Sequence, residues 1–161
     1  MCERAMALAQ HLEQANDALM AVVEQCSPAE WTARCAQCAS CVAAGCTVAG
    51  AAHHVAVDQC ALEQWLRRLA CGEDWPFPLR RAGYRDPRDA VTTRDETLSL
   101  LRQNRDSAVS FVRGLSDEQL DRSAPVVPAG GRPWSLHQLI EGMLIVHTET
   151  HCTSIEATVL L

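Results

Sequence analysis

Two histidines lie four residues apart near the C-terminal end of the sequence, in the stretch LIVHTETHCTS at residues 144–154. Residues four apart on a helix share one face, so His147 and His151 can direct their imidazoles toward one point. Such a pair can bind a metal ion, because Zn, Ni, Fe and Mn all accept neutral imidazole. The alternative is two core histidines that hydrogen-bond to carbonyls or to each other, since this spacing also arises by chance.

A metal site would need a further ligand from elsewhere in the chain. The stretch AGAAHHVAVDQC at residues 49–60 offers two adjacent histidines, His53 and His54, and one of them can face the interior of a bundle. Asp58 follows His54 by four residues and could orient its ring by accepting a hydrogen bond. Three imidazoles would leave coordination positions open for water or substrate. The sequence does not reveal which metal is bound.

Four long segments carry apolar residues at alternating spacings of three and four, which is the pattern of helices packed in a bundle. The first and fourth stripes are Ala5, Leu8, Leu12, Ala15, Leu19, Val22 and Cys26, and Ile140, Leu144, His147, His151 and Ile155. Arg105 interrupts the third stripe, where it can pair with a carboxylate or reach out of the bundle. No segment shows convincing strand alternation. The pattern predicts an all-α four-helix bundle in which the histidine pair lies on the apolar face.

Helix starts and connections can also be read. Thr47, Thr92 or Thr93, and Ser135 with Gln138 are suitable N-caps for the second, third and fourth helices. The connections at 27–46, 72–92 and 116–134 exceed the usual hairpin length of roughly 2–8 residues. We therefore expect long crossover loops rather than strict up-and-down hairpins.

Length and charge restrict the class of protein. A chain of 161 residues predicts a single domain, 1–161. The net charge of −6 argues against nucleic-acid binding. No run of 18 apolar residues occurs, which predicts no membrane span. The N-terminal stretch lacks the apolar core of a signal peptide, so we expect a cytoplasmic protein that acts on a small-molecule substrate.

The nine cysteines predict reduced thiols, because their number is odd and the chain looks cytosolic. Cys35, Cys38 and Cys41 form a C-x2-C-x2-C pattern near Cys46, which zinc or an iron–sulfur cluster could use. The stretch is Ala-rich and no distant CxxC completes it, which favours small packed thiols. Cys152 points about 100° away from its neighbour His151 on a helix, so it is a poor ligand candidate.

The connection at 72–92 concentrates aromatic and basic residues that could wall a pocket or recognise a carboxylate. They are Trp75, Phe77, Tyr84, Arg80, Arg81, Arg85 and Arg88. Packing of the loop onto the bundle is the default expectation. A loop folded over an open metal pocket would favour an enzyme, and a loop packed away from it would favour a binding protein.

Two stretches resemble the DinB/YfiT-like superfamily of four-helix metalloproteins. GCTVAGAAHHVAVDQCALEQWLRRLACGE is similar to that family's second helix, and RPWSLHQLIEGMLIVHTETHCTSI is similar to its last helix. LSDEQLDRSAP resembles the segment that usually precedes the last helix. Carried over position by position, the resemblance assigns His54, His147 and His151 as ligands of a divalent metal. Cys46 stands where the family commonly has Trp, which affects the packing analogy rather than the ligands.

The resemblance also implies an activity. Relatives include thiol S-transferases and the metal-binding domain of mycothiol-dependent maleylpyruvate isomerase, so we expect transfer of a low-molecular-weight thiol, such as bacillithiol or mycothiol, to an electrophile. A metal-dependent hydrolase that uses metal-bound hydroxide and a non-catalytic, stress-associated metal-binding protein are the alternatives. Relatives are often dimers, so a homodimer is also expected.

Overall fold

A computed structural model of the chain describes residues 2–35, 46–73, 92–126 and 130–159. Three long helices are continuous: α1 (Glu3–Gln25), α3 (Val48–Ala70) and α4 (Arg94–Arg113). Two short helices lie between them in the chain or follow them, α2 (Pro28–Thr32) and α5 (Asp117–Asp121). The fourth long helix is composite and comprises α6 (Leu136–Leu139), a π-helical segment (Ile140–Val146) and α7 (His147–Val159). The predicted all-α four-helix bundle is confirmed.

Side-chain caps fix where these helices begin. The hydroxyls of Ser27, Thr47, Thr93, Ser116 and Ser135 each accept a hydrogen bond from a backbone N–H in the first turn of the helix that follows. Of the two threonines proposed as caps for α4, the structure selects Thr93, which also forms a capping box with Glu96. Each cap pairs a backbone donor that the helix itself leaves without a partner.

One short two-stranded hairpin accompanies the helices and was not expected from the sequence. β1 (Ser123–Val126) and β2 (Arg132–Ser135) pair antiparallel, with Ser123 opposite Ser135 and Val126 opposite Arg132. Each strand is only four residues long and contains a proline, so neither shows the alternation by which strands are recognised. The hairpin leads directly into α6.

α1 and α3 lie diagonally across the bundle, and so do α4 and α7, whereas α3 and α4 are neighbours. α1 packs against α4 and α7, and α3 packs against the same two helices. This arrangement requires the chain to cross the bundle end twice, between α1 and α3 and between α4 and the composite fourth helix, which agrees with the crossover connections expected from the sequence. It also places α3 directly beside α7, the two helices that carry the predicted histidines.

The core consists of two apolar clusters separated by a layer of buried polar side chains. One cluster is built around Leu12, Leu66 and Leu144, and the other around Leu19, Val55 and Leu101. Between them lie Asn16, Gln59, Asn104 and Thr148, one from each long helix, all buried. We call these four residues the polar layer. Its hydrogen bonds cross the bundle diagonal, since Gln59 Nε2 donates to Asn16 Oδ1 at 2.8 Å.

The α1–α4 seam is closed by ion pairs at the protein surface. Arg105, which interrupts the third apolar stripe, pairs with Glu13 at 3.0 Å and with Asp17 at 2.9 Å on α1. Its side chain is only 24% exposed, so its aliphatic part packs while the guanidinium reaches the carboxylates. The predicted pairing of Arg105 is confirmed.

None of the helices in the described ranges is both long enough and apolar enough to cross a membrane.

Replacing Leu101 with alanine should lower the free energy of unfolding by about 2–5 kcal/mol, because Leu101 is fully buried in the second apolar cluster. The matched control is Leu100→Ala, which removes the same atoms from a half-buried neighbour and should cost clearly less. Urea denaturation followed by circular dichroism measures both. Equal losses for the two variants would contradict the packing of α4 described above.

Candidate metal centre

Three histidines from two adjacent helices meet inside the bundle. His54 lies in the second turn of α3, and its side chain is buried at 5% exposure. His147 and His151 occupy the first two turns of α7, the former half-buried and the latter buried. The structure therefore brings together the three side chains singled out by the sequence and the family resemblance.

The three rings approach one another edge to face. The ring centroids are 5.2 Å apart for His54 and His147, 5.1 Å for His54 and His151, and 4.7 Å for His147 and His151. Each ring offers one nitrogen such that all three nitrogens lie within 4.8 Å of one another. In the part of the chain that the structure describes, this is the only cluster of three or more histidine, cysteine or acidic side chains close enough to share an ion.

The spacing of these nitrogens fits a divalent ion. Two nitrogens that each lie about 2.0–2.1 Å from one tetrahedral ion are separated by about 3.3–3.4 Å. Nε2 of His54 and Nε2 of His147 are 3.3 Å apart. The same distance also suits a hydrogen bond between two neutral imidazoles, so it does not by itself distinguish a metal site from a hydrogen-bonded pair. A hydrogen bond joins one pair of rings, whereas a shared ion accounts for the convergence of all three.

His53 is positioned differently from its neighbour. It is half-buried on α3 and is not part of the three-ring cluster. Burial lowers the pKa of His53, while the nearby Glu96 carboxylate opposes this effect. His53 therefore faces α4 and Glu96, and the structure selects His54 as the residue that accompanies the pair on α7.

Asp58 lies behind the His54 ring. Its Oδ2 is 3.4 Å from Nδ1 of His54, one helical turn away, and the Asp58 side chain is 28% exposed. With Nδ1 directed at a carboxylate, Nε2 of His54 is the nitrogen left to face His147. The carboxylate therefore lies on the side of the ring where the spacing of the two residues placed it, and its orienting role stays a prediction.

The thiols near the site do not join it. Burial, followed by the neighbouring Glu156 carboxylate, raises the pKa of Cys152 to about 11. Cys152 packs in the second apolar cluster together with Cys26, Cys35 and Cys46, so these four thiols behave as small apolar side chains. Cys38 and Cys41 lie outside the described residues, as do the aromatic and basic residues of the 72–92 connection from Trp75 to Arg88.

Two features of the site were not predicted. The fourth helix was expected to be continuous, but its segment Ile140–Val146 is π-helical and ends directly before His147. Such segments are rare and frequently occur at functional sites. Gly142 in this segment gives a possible signal, because a Cβ there would lie 3.1 Å from the Trp134 ring. The polar layer is the second feature that the sequence analysis did not predict.

Comparison with known proteins agrees with this geometry. The family model described as the DinB superfamily matches residues 11–155. The fold is similar to that of YfiT from Bacillus subtilis, a probable metal-dependent hydrolase with an unusual four-helix bundle topology, at a TM-score of 0.76 and 18% sequence identity. The alignment covers 96% of this chain and 85% of YfiT. Among curated proteins, none matches the chain.

Cys152 should resist alkylation in the folded protein. With a pKa of about 11, only on the order of one thiol in a thousand is ionised at pH 8, and the side chain is buried. Iodoacetamide treatment followed by peptide mass mapping should label the exposed Cys71 first and Cys152 only after unfolding. Comparable labelling of both in the native protein would contradict the placement of Cys152.

Proposed function

The chain belongs to the DinB superfamily, and from this we propose that it is a metal-dependent enzyme whose His54, His147 and His151 hold one divalent ion. The observation that carries the proposal is the meeting of three imidazole nitrogens within 4.8 Å of one another. Zn, Ni, Fe and Mn all fit such a donor set, so the proposal does not depend on one of these metals.

In this proposal, three residues of the site bind the ion and a fourth orients one of these ligands. His147 and His151 are one turn apart on α7 and offer one edge of the site, and His54 offers the third nitrogen from α3. Asp58 Oδ2 lies 3.4 Å from Nδ1 of His54, where a carboxylate can orient the ring of a metal-binding histidine. Three protein ligands leave at least one coordination position free. When bound, a divalent ion in this place lowers the pKa of a coordinated thiol or water molecule.

We favour transfer of a low-molecular-weight thiol, such as bacillithiol or mycothiol, to an electrophile. Within the described ranges, no carboxylate joins the three imidazoles. Because imidazole ligands are neutral, a divalent ion held by them would keep its full positive charge to stabilise a bound thiolate. Cys152, the thiol next to His151, is buried and is therefore a poor nucleophile, so the proposal takes the reacting sulfur from a small molecule. In the reaction, this sulfur forms a bond to the electrophilic carbon, the leaving group departs with its electron pair, and the thiol proton passes to solvent.

Hydrolysis is the second candidate, and the similarity to YfiT favours it, because that protein is a probable metal-dependent hydrolase. A hydrolase gains from a general base that takes a proton from water. Asp58 is the nearest carboxylate identified on α3, but it is placed to orient His54 rather than to face an open coordination position. The thiol-transfer proposal needs no such base beyond solvent.

The ligand assignment predicts a sharp contrast between neighbouring histidines. His147→Ala should reduce the metal content from about one ion per chain to nearly none, because two imidazoles hold a divalent ion poorly. His53→Ala is the matched control, since His53 lies beside His54 but outside the cluster, and it should retain its metal. Elemental analysis of the purified proteins measures both. Metal content unchanged by His147→Ala would refute the assignment.

The thiol-transfer proposal predicts metal-dependent conjugation. Metal-loaded protein supplied with bacillithiol or mycothiol and an activated aryl chloride should release chloride and form the thioether faster than either the metal-free protein or the His147→Ala variant. Chromatographic detection of the thioether measures the rate. Hydrolysis of activated esters without any thiol would support the second candidate instead, and neither activity with bound metal would indicate a non-catalytic binding protein.

A further inference from the structure

We infer that Gln59 and Thr148 of the polar layer are positioning residues that set the rotation of α7, and with it the placement of His147 and His151 against His54. This inference rests on the proposed function, because it concerns how the same three histidines come to share one ion. In this inference, Gln59 and Thr148 do not bind the ion but keep the ligands of α7 in place.

Thr148 occupies the position between the two histidines of α7. It follows His147 directly, precedes His151 by three residues, and is fully buried. Its Oγ1 donates to the carbonyl of Leu144 at 2.6 Å and accepts from Nε2 of Gln59 at 3.3 Å. A single hydroxyl thus connects the π-helical segment that precedes His147 to the neighbouring helix α3.

Gln59 connects the same point to the opposite side of the bundle. It lies on α3, five residues after His54, and is 1% exposed. Its Nε2 also donates to Asn16 Oδ1 at 2.8 Å, and Asn16 Nδ2 in turn donates to the carbonyl of Leu12 at 2.9 Å. Because the Thr148 hydroxyl donates its hydrogen to the Leu144 carbonyl, Gln59 can only act as a donor toward Thr148. Each group in the series is therefore limited to one role, and the bonds form at only one relative position of the helices.

The layer costs stability rather than adding to it. Within the described part of the chain, Oε1 of Gln59 is buried and has no hydrogen-bond partner. A partly satisfied buried network is less favourable than well-packed apolar side chains. Selection for stability alone would therefore favour leucine and valine at these positions. A directional contact, in contrast to an apolar one, holds one helix rotation over others.

The rotation of α7 about its axis determines whether His147 and His151 point toward His54. One residue on a helix corresponds to about 100°, so a small error of phase turns both imidazoles away from His54. The π-helical segment before His147 alters the phase of the helix relative to a continuous α-helix. Thr148 is bonded both to this segment and to Gln59, which places the constraint where the phase changes.

The test compares zinc affinity with the stability of the metal-free protein. Thr148→Val keeps the shape of the side chain and removes the hydroxyl, Thr148→Ser keeps the hydroxyl, and Gln59→Leu removes the amide. Competition with a chromogenic chelator measures the zinc Kd, and urea denaturation measures the stability of each metal-free protein. Thr148→Val and Gln59→Leu should weaken zinc binding by about 10- to 100-fold without a loss of stability. Thr148→Ser should retain an affinity for zinc close to that of the wild type, because it keeps the hydroxyl.

Leu66→Ala is the matched control for general destabilisation. Leu66 is fully buried on α3 in the first apolar cluster and makes no part of the layer. This variant should be less stable yet bind zinc with wild-type affinity.

Wild-type affinity in both Thr148→Val and Gln59→Leu would overturn the inference and leave the proposed metal site intact. Failure of both variants to fold without metal would also overturn it, because the layer would then support the fold as a whole. A wild-type protein that binds no zinc or other divalent ion would overturn the proposed function and this inference together.

Discussion

A polar atom buried without a partner costs about 1–3 kcal/mol, and this constraint governs the centre of the bundle. His54 and His151 are buried, and His147 is half-buried beside them, within a core that is otherwise mostly apolar. Asp58 Oδ2 lies 3.4 Å from Nδ1 of His54, and an ion shared by the three rings would account for the three nitrogens that converge.

The diagonal order of the helices makes this meeting possible. His54 and His147 are 93 residues apart in the chain, yet α3 and α7 are neighbours because the chain crosses the bundle end between α1 and α3 and again between α4 and α7. In an up-and-down bundle, α3 would neighbour α1 directly; here these two helices lie on the diagonal and Gln59 reaches Asn16 across it. The site and the polar layer therefore follow from one topological choice, and the layer keeps the helices at a fixed rotation where the two apolar clusters meet.

Much of the fold could be predicted from the sequence, because apolar spacing and N-cap residues act locally. The residues Thr47, Thr93 and Ser135 mark helix starts that the structure confirms. The choice between His53 and His54 could not be made from helix phase, since α3 buries a wide face that includes Ala51, Ala52, Val55 and Ala56. The π-helical segment depends on how α6 and α7 pack against their neighbours, and local sequence carries little information about it. The short hairpin was missed because prolines and a length of four residues per strand remove the usual pattern.

The most direct test of the account is the position of the ion itself. Crystals grown with zinc and measured at the zinc absorption edge should show an anomalous peak about 2.0–2.1 Å from one nitrogen of each of His54, His147 and His151. Asp58 should be found at the far nitrogen of His54. An anomalous peak elsewhere in the molecule, with the three imidazoles bonded only to one another or to protein carbonyls, would contradict the account.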